Sequence, residues 1–442
     1  MATPELLVEV GLDISSVGGP FFTFGSSSDP KDNPQSQFAP NGEGDAYRFG
    51  GTLFYDVTER VKSVTINRGK SRELDKFTTG SANITFTNQD RAFDPFYTSS
   101  PYYPDIRPRR NIRISTIVNG STAVQFTGLV EDWNIDYNIS GQSDAFAACV
   151  DGFVLFGGQQ LAFSTATIQK TGARIGAILD RAEVDWPTSL RDIDTGVQTL
   201  QDDVIEQGRE TLDYLQLVEA SEPGLLFMSK DNKVTFRDRS TAAYPGTVVF
   251  SDAGTAIPYN GITVNYGTEL LFNRAVVSRL DGGPLPSENA ASIAEYGVVS
   301  LELNGLLMST NADAQNLADF IVNKYSDPEL RIDSLDVQLA GLGTAAQTQV
   351  LGLELADIIR VEFQPNDIGD AIVKDVQIIG IRHDARPASH VVSFALQSTD
   401  TAAFVFADGT VTSGTAILSA YPFSIFGGEE SGVVYTGSPF GL

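Results

Sequence analysis

The sequence runs to 442 residues, with 56 Asp and Glu against 30 Lys and Arg, a formal net charge of −26 at pH 7. So acidic a chain repels phosphate backbones, which excludes reading of DNA or RNA sequence through a basic face. A hydrophobic content of 42% with 10% aromatics excludes global disorder, and the length fits about three domains at ~150 residues each.

Residues 1–54 open on an alternating run, Leu6 to Leu12, and pass through Gly19-Pro20 into a polar stretch; Ser26 to Gly44 reads as a loop or arm. Residues 55–155 form a first strand block. Val61 to Asn67 alternates, Ala82 to Thr87 places Ile84 and Phe86 on one face, and Asn111 to Val118 and Ala123 to Asp136 continue the pattern, with Gly128 expected to mark a bulge. Cys149 is the only cysteine, so neither an intramolecular disulfide nor a cysteine-rich zinc site can form. Residues 156–245 read as an α/β insert. Ile175, Ile178 and Leu179 share a helical face, as do Leu212, Leu215 and Val218, and Leu225 to Phe236 reads as a hairpin turning at Asp231-Asn232. Residues 246–400 form a second strand block: Thr247 to Phe250, Gly261 to Tyr266, Ala275 to Leu280, Ser334 to Leu339, Ile358 to Phe363, Val373 to Ile381 and His390 to Gln397. It carries one helix, Asp313 to Tyr325, with Asn311 expected as its cap and Pro328 beyond its end. The extension 401–442 contains no Lys, Arg or His and is rich in Gly, Ser, Thr and aromatics, among them Phe404, Tyr421 and Phe423. It is expected to lie along a neighbouring subunit or to add edge strands to its own domain.

The fold expected from the residues is therefore mainly β with an α+β insert. Catalysis has little material. His383 and His390 are the only histidines and read as structural or surface groups, and no spacing singles out a carboxylate pair. Gly341-Leu342-Gly343 follows a strand and imitates a dinucleotide loop, but no βαβ unit surrounds it and no amphipathic helix follows, so it reads as a hairpin connection. Trp133, Trp186 and Tyr102-Tyr103 could stack on sugars, although aromatics in strand proteins usually serve cores and interfaces. Arg107-Pro108-Arg109-Arg110 is the densest basic cluster; Arg107, Arg109 and Arg110 are expected either to meet an acidic neighbouring subunit, the favoured reading, or to form an exposed turn carrying balancing charge. No apolar run of about 18 residues is present to span a bilayer, and no secretory signal opens the chain, so synthesis in a cytoplasm is expected.

One array is more specific. Tyr55-Asp56-Val57-Thr58-Glu59-Arg60-Val61, Ile66-Asn67-Arg68-Gly69-Lys70, Thr87-Asn88-Gln89-Asp90-Arg91-Ala92-Phe93-Asp94-Pro95, Ser100-Pro101-Tyr102, Arg107-Pro108 and Phe126-Thr127-Gly128 resemble, in this order, the minor tail proteins of long-tailed bacteriophages. Leu212 to Arg239, passing through Ser221-Glu222-Pro223-Gly224, is similar to the same family. Ser292-Ile293-Ala294-Glu295-Tyr296-Gly297, with the helix running to Asp327-Pro328, is similar to the hub proteins of phage baseplates. The resemblance spans most of residues 55–400.

It implies a structural baseplate hub, not an enzyme and without cofactor: two tail-tube-like β-barrel domains separated by a helix-containing domain. Three copies would form a ring that adapts the tail tube to the tip. Implied partners are the distal tail ring, tape measure and receptor-binding or fibre proteins, with double-stranded DNA as a transient passenger and the virion tail tip as location. Phe404, Tyr421 and Phe423 join the arginine cluster as expected subunit contacts. On this reading excess carboxylates face the lumen, keeping the duplex mobile. Competing readings are a hexameric distal tail ring, which needs one tube-like domain per chain, a carbohydrate-binding host-recognition module, and a cell-wall hydrolase.

Overall fold

In a strand buried on one face, side chains alternate between core and solvent, and this period governs the main sheet. The computed structural model describes residues 4–12, 53–139, 141–239, 248–254 and 256–399. Thirteen strands, numbered here in chain order, form one sheet. The first block supplies β1 Glu5–Leu12, β2 Leu53–Asp56, β3 Val61–Gly69, β4 Thr78–Thr87, β5 Asn111–Val118, β6 Ser121–Tyr137 and β7 Ser143–Val150. From the second come β8 Val248–Ser251, β9 Gly261–Tyr266, β10 Leu330–Gln338, β11 Ile358–Phe363, β12 Ile372–Arg386 and β13 Ser389–Ser398. The order is β9-β10-β13-β12-β3-β4-β7-β6-β5-β1-β2, and β8 and β11 branch from β12.

The two blocks meet at one seam, where Val64 to Gly69 of β3 pair antiparallel with Ala385 to Gly380 of β12. The resemblance implies two barrels, whereas the hydrogen-bonded path is one open sheet, closed nowhere among the described residues. Its end strands β9 and β2 belong to different blocks and do not pair with each other.

Beneath the first block lies a core of Val64, Ile66, Ile84, Phe86, Ile112, Ile114, Phe126 and Ala147 with β1 residues Val8 and Val10. Each buried aliphatic or Phe side chain contributes about 1.5–3 kcal/mol relative to exposure. A larger core joins the insert to the second block, from Phe156, Ile175, Leu215 and Phe227 through Leu335, Val361 and Ile378 to Phe394.

Among the described residues six α-helices accompany the sheet: α1 Phe153–Gly157, α2 Thr171–Leu179, α3 Thr211–Ser221, α4 Ala290–Tyr296, α5 Asn311–Tyr325 and α6 Thr344–Gly352. The apolar stripes expected for α2, α3 and α5 face the core, buried except for the half-buried Leu212 and Phe320, while α1, α4 and α6 are additions to the sequence reading. The cap of α5 is Thr310, one residue before the expected Asn311; its hydroxyl accepts from the Asp313 N–H at 3.1 Å. Asn311 instead accepts from Arg279 Nε at 2.6 Å through its side-chain oxygen. The Gly341–Gly343 segment leads into α6 and is not a hairpin connection. That helix buries only Gln347, Val350 and Leu351, too few to produce a readable stripe. Gly128 pairs regularly with Ile112, and the nearby bulge falls between Val130 and Asp132. Glycine is required at 128 because a Cβ would run into the Val150 carbonyl. The Asp231-Asn232 hairpin forms as expected, joining Leu225–Met228 to Val234–Arg237 with Asn232 at φ 61°.

Candidate functional site

One face of the sheet carries rows of half-buried and exposed side chains across both strand blocks. Pairing registers place Ser81, Asn67, Arg382, Ser393 and Asp336 side by side on β4, β3, β12, β13 and β10. The next rung, across the same strands, is Asn83, Thr65, Asp384, Val391 and Gln338. Toward the other end Asn134, Phe146, Thr85 and Ser63 align on β6, β7, β4 and β3, and Asp136 faces Asp144. None of these side chains is buried, and most are short, polar and uncharged or acidic. The cations nearby are few: Lys62 is ion-paired with Asp144, Arg386 lies 3.4 Å from Asp384, and Arg382 is exposed. The surface is thus mostly polar, with Phe146 and Val391 as apolar exceptions and with its cations, including Arg113 on β5, mostly beside carboxylates. Its end strand β9 is an open edge with Val264 37% and Tyr266 68% exposed, the kind of edge another strand can extend.

The opposite face of the seam holds a buried polar cluster. Val64, Ile66 and Arg68 alternate into the interior, as do Ile381, His383 and Ala385 on β12 and His390, Val392 and Phe394 on β13. Arg68 Nη1 donates to Glu354 Oε1 at 2.6 Å. The Glu354 carboxylate also accepts from the backbone N–H of Lys230 and of Leu355, each at 2.9 Å. Desolvation is the largest single influence and pushes it up, but Arg68 and these N–H groups together outweigh it and hold it below the usual carboxylate range. Lys230 Nζ donates to the carbonyls closing α6, at 2.8 Å to Gly352 and 3.3 Å to Leu351 and Leu353, which satisfies orphan carbonyls of the helix terminus. His383 Nδ1 lies 3.0 Å from His390 Nε2. Burial pushes both imidazoles down, His390 to about 4, and for His383 the cations of Arg68 and Lys230 add to the effect. Asp151 accepts from the N–H of Gly80 at 2.7 Å and of Phe153 at 3.0 Å, while burial pushes its carboxyl up to about 7. Residue 80 is glycine because a Cβ would collide with the Asp151 carboxylate.

A second buried cluster clamps the β3–β4 loop. Glu73 Oε1 accepts from Lys324 Nζ at 2.5 Å and from the Tyr325 hydroxyl at 2.9 Å, both on α5. Lys70 Nζ donates to the Glu73 carbonyl at 2.6 Å. On α3, Glu219 accepts from the Leu226 N–H at 2.9 Å, and burial pushes its carboxyl up to about 7. First block, insert and second block are therefore pinned to one another at two places.

The expected subunit contacts fare differently. Arg107 and Arg109 are exposed, and Arg107 Nε donates to the Pro104 carbonyl at 2.7 Å. Arg110 turns inward to the buried carboxylate of Asp105, so its charge serves this chain. Phe404, Tyr421 and Phe423 lie outside the described residues, as does the Ser26 to Gly44 arm. Trp133 stacks on Phe93 at 5.6 Å and Trp186 meets Phe156 edge-on at 5.0 Å, so both indoles serve packing; Tyr103 is 38% exposed. The sequence reading missed Arg68, Glu354 and Asp151 and gave the histidines no shared site. Their signal was polar residues at core positions of the period-two pattern.

No protein-family model and no curated protein matches this sequence. Among solved structures, the chain is similar to the 43 kDa tail protein of prophage MuSo2 from Shewanella oneidensis. The two share 13% identity over 79% of this chain and 96% of that one, at a TM-score of 0.52. A tail protein from Neisseria meningitidis MC58 is similar at 10% identity, over 78% of this chain and 94% of that one, with a TM-score of 0.51. At these identities the likeness is one of fold: this chain is a mainly β protein with the architecture of those tail proteins.

Proposed function

We propose that the protein is a structural, non-enzymatic component of a phage tail, the baseplate hub at the tail tip, and that copies of it form a ring around the DNA passage. The carrying observation is the open face: two strand blocks of one chain share one sheet and present the same mostly polar surface across the seam. A wall of this character favours passage of a polyanion. It offers few cations to grip phosphates and few apolar groups to adhere to bases. The fold shared with two tail proteins supports the same reading.

Three copies, each contributing two blocks, would match the six-fold tube, and the open β9 edge would extend onto the next copy. Distal tail, tape-measure and receptor-binding proteins are the natural neighbours, with Arg107, Arg109 and the 401–442 extension as contacts. The two-block sheet favours this hub over a hexameric distal ring, which needs one block per chain. Native mass spectrometry of the assembled ring and cryo-electron microscopy of labelled particles test the proposal. Three copies at the tip with the Asn67–Arg382 face inward are expected; six copies, or that face outward, would overturn it.

A further inference from the structure

The buried side of the seam contains donors that the protein itself does not satisfy. The Arg68 side chain is 1% exposed, and its only side-chain hydrogen bond among the described residues is from Nη1 to Glu354, leaving Nε and Nη2 buried and unpartnered there. His383 is 2% exposed; its Nδ1 is engaged with His390, and its Nε2 is likewise buried and unpartnered. These atoms belong to neighbours. Arg68 pairs with Ile381 across the seam, and His383 lies two residues along on the same face, the diagonal relation that long side chains bridge. A buried donor left without a partner costs about 1–3 kcal/mol, and more when it is charged.

We propose that Arg68 and His383 hold a monovalent inorganic anion of halide size, buried between the two strand blocks. Nε and Nη2 of Arg68 and Nε2 of His383 are its donors, with His383 Nδ1 then accepting from His390 Nε2. The electrostatic setting favours an anion over a water. Beyond burial and the neighbouring His390, the cations of Arg68 and Lys230 both disfavour a proton on His383, as a site of positive potential does. Of the nearby carboxylates, Glu354 takes only Nη1 of Arg68 along with two backbone N–H groups, and Asp151 accepts from Gly80 and Phe153, so neither occupies Nε or Nη2. Size follows from the donor set. Ile66, Ile381 and Val392 around the site are apolar and buried, so a phosphate or sulfate would leave oxygens unpaired. The anion ties β3 of the first block to β12 of the second without a covalent bond.

Two measurements test this. In crystals of the full chain equilibrated with sodium bromide, an anomalous peak is expected within hydrogen-bonding distance of Arg68 Nη2 and His383 Nε2. A water at that position, or no peak, would overturn the proposal. In solution, the melting temperature should rise as chloride replaces gluconate at constant ionic strength, since a ligand bound only to the folded state stabilises it by mass action. Arg68→Lys, which keeps a cation beside Glu354 but loses most of the donor fork, should weaken the apparent chloride affinity at least tenfold. His383→Leu should abolish the dependence. A flat response in the wild type, or an unchanged response in both variants, would count against the site.

Discussion

The two faces of the seam strands use the same backbone for opposite purposes. On β3 and β12 the inward row reads Val64, Ile66, Arg68 and Ile381, His383, Ala385, whereas the outward row reads Ser63, Thr65, Asn67 and Arg382, Asp384. The inward row is fixed by packing and by the Arg68–Glu354 ion pair. The outward row is half-buried or exposed. On the proposed function this asymmetry is useful, because rigidity is supplied from behind and the outward side chains can be short and unadhesive.

The sharpest way to break the comparison is to mutate one residue on each side of the same strand. Arg68→Met strands the Glu354 carboxylate in the interior, and removing one partner of a buried pair typically costs about 3–5 kcal/mol. Asn67→Ala, one residue earlier on the open face, should change stability by no more than about 0.5 kcal/mol. Urea denaturation of the two variants measures both. Equal effects would mean that the faces are not divided as described.

The histidine pair comes next. The ordinary imidazole value is 6.5 and His390 is held at about 4, so between these values the unfolded chain binds protons that the folded chain does not. Stability from this group is complete above pH 6.5 and is lost as the pH falls toward 4, by roughly 3 kcal/mol at ~1.4 per pH unit. His383 shifts in the same direction. The double variant His383→Phe, His390→Phe should therefore gain on the wild type progressively below pH 6.5. A constant difference from pH 7 to pH 4 would show that the histidines are not held neutral.

Glu219 has the opposite sign. Its carboxyl is raised from the ordinary 4.5 to about 7, so the folded chain holds a proton that the unfolded chain has lost, and stability falls as the pH rises through that window. Glu219→Gln retains an oxygen to accept the Leu226 N–H and removes the ionisation. It should be nearly neutral at pH 5 and stabilising at pH 8, by about 1–3 kcal/mol. Thermal melts at the two pH values decide the matter, and stabilisation at pH 5 alone would contradict the assignment.

These inward groups also mark where sequence reading stopped. Strands such as Asn111–Val118, Gly261–Tyr266 and Ile358–Phe363 were legible to the residue because alternation is a local property. Arg68 occupies the next core position after Val64 and Ile66, but a charge there resembles a strand end until Glu354, 286 residues away, is brought to it. His383 and His390, seven residues apart, come together because the intervening turn pairs Arg386 with Ser389. The merging of both blocks into one sheet was equally illegible, since nothing local in Val64 to Gly69 names Gly380 to Ala385 as its partner. α6 failed for another reason: its contacts with the core are too few to impose a period.

The smallest effect on stability should accompany the largest effect on function. Asn67→Lys combined with Thr85→Lys places two cations on the open face, on adjacent strands, without touching the core. The side chains at these positions already face outward, so melting temperature and ring stoichiometry should remain those of the wild type. If the proposed ring surrounds DNA, each new ammonium would give a passing phosphate backbone a point of attraction, and repetition of copies around the ring would multiply the contacts. DNA release from particles carrying the variant should slow, and the slowing should diminish as salt rises, since phosphate contacts are screened. The reverse substitution, Arg382→Gln, should hasten release slightly or leave it unchanged. If release from the lysine variant proceeds at the wild-type rate at low salt in fully assembled particles, the open face does not line the passage. The asymmetry between the two faces would then serve assembly alone.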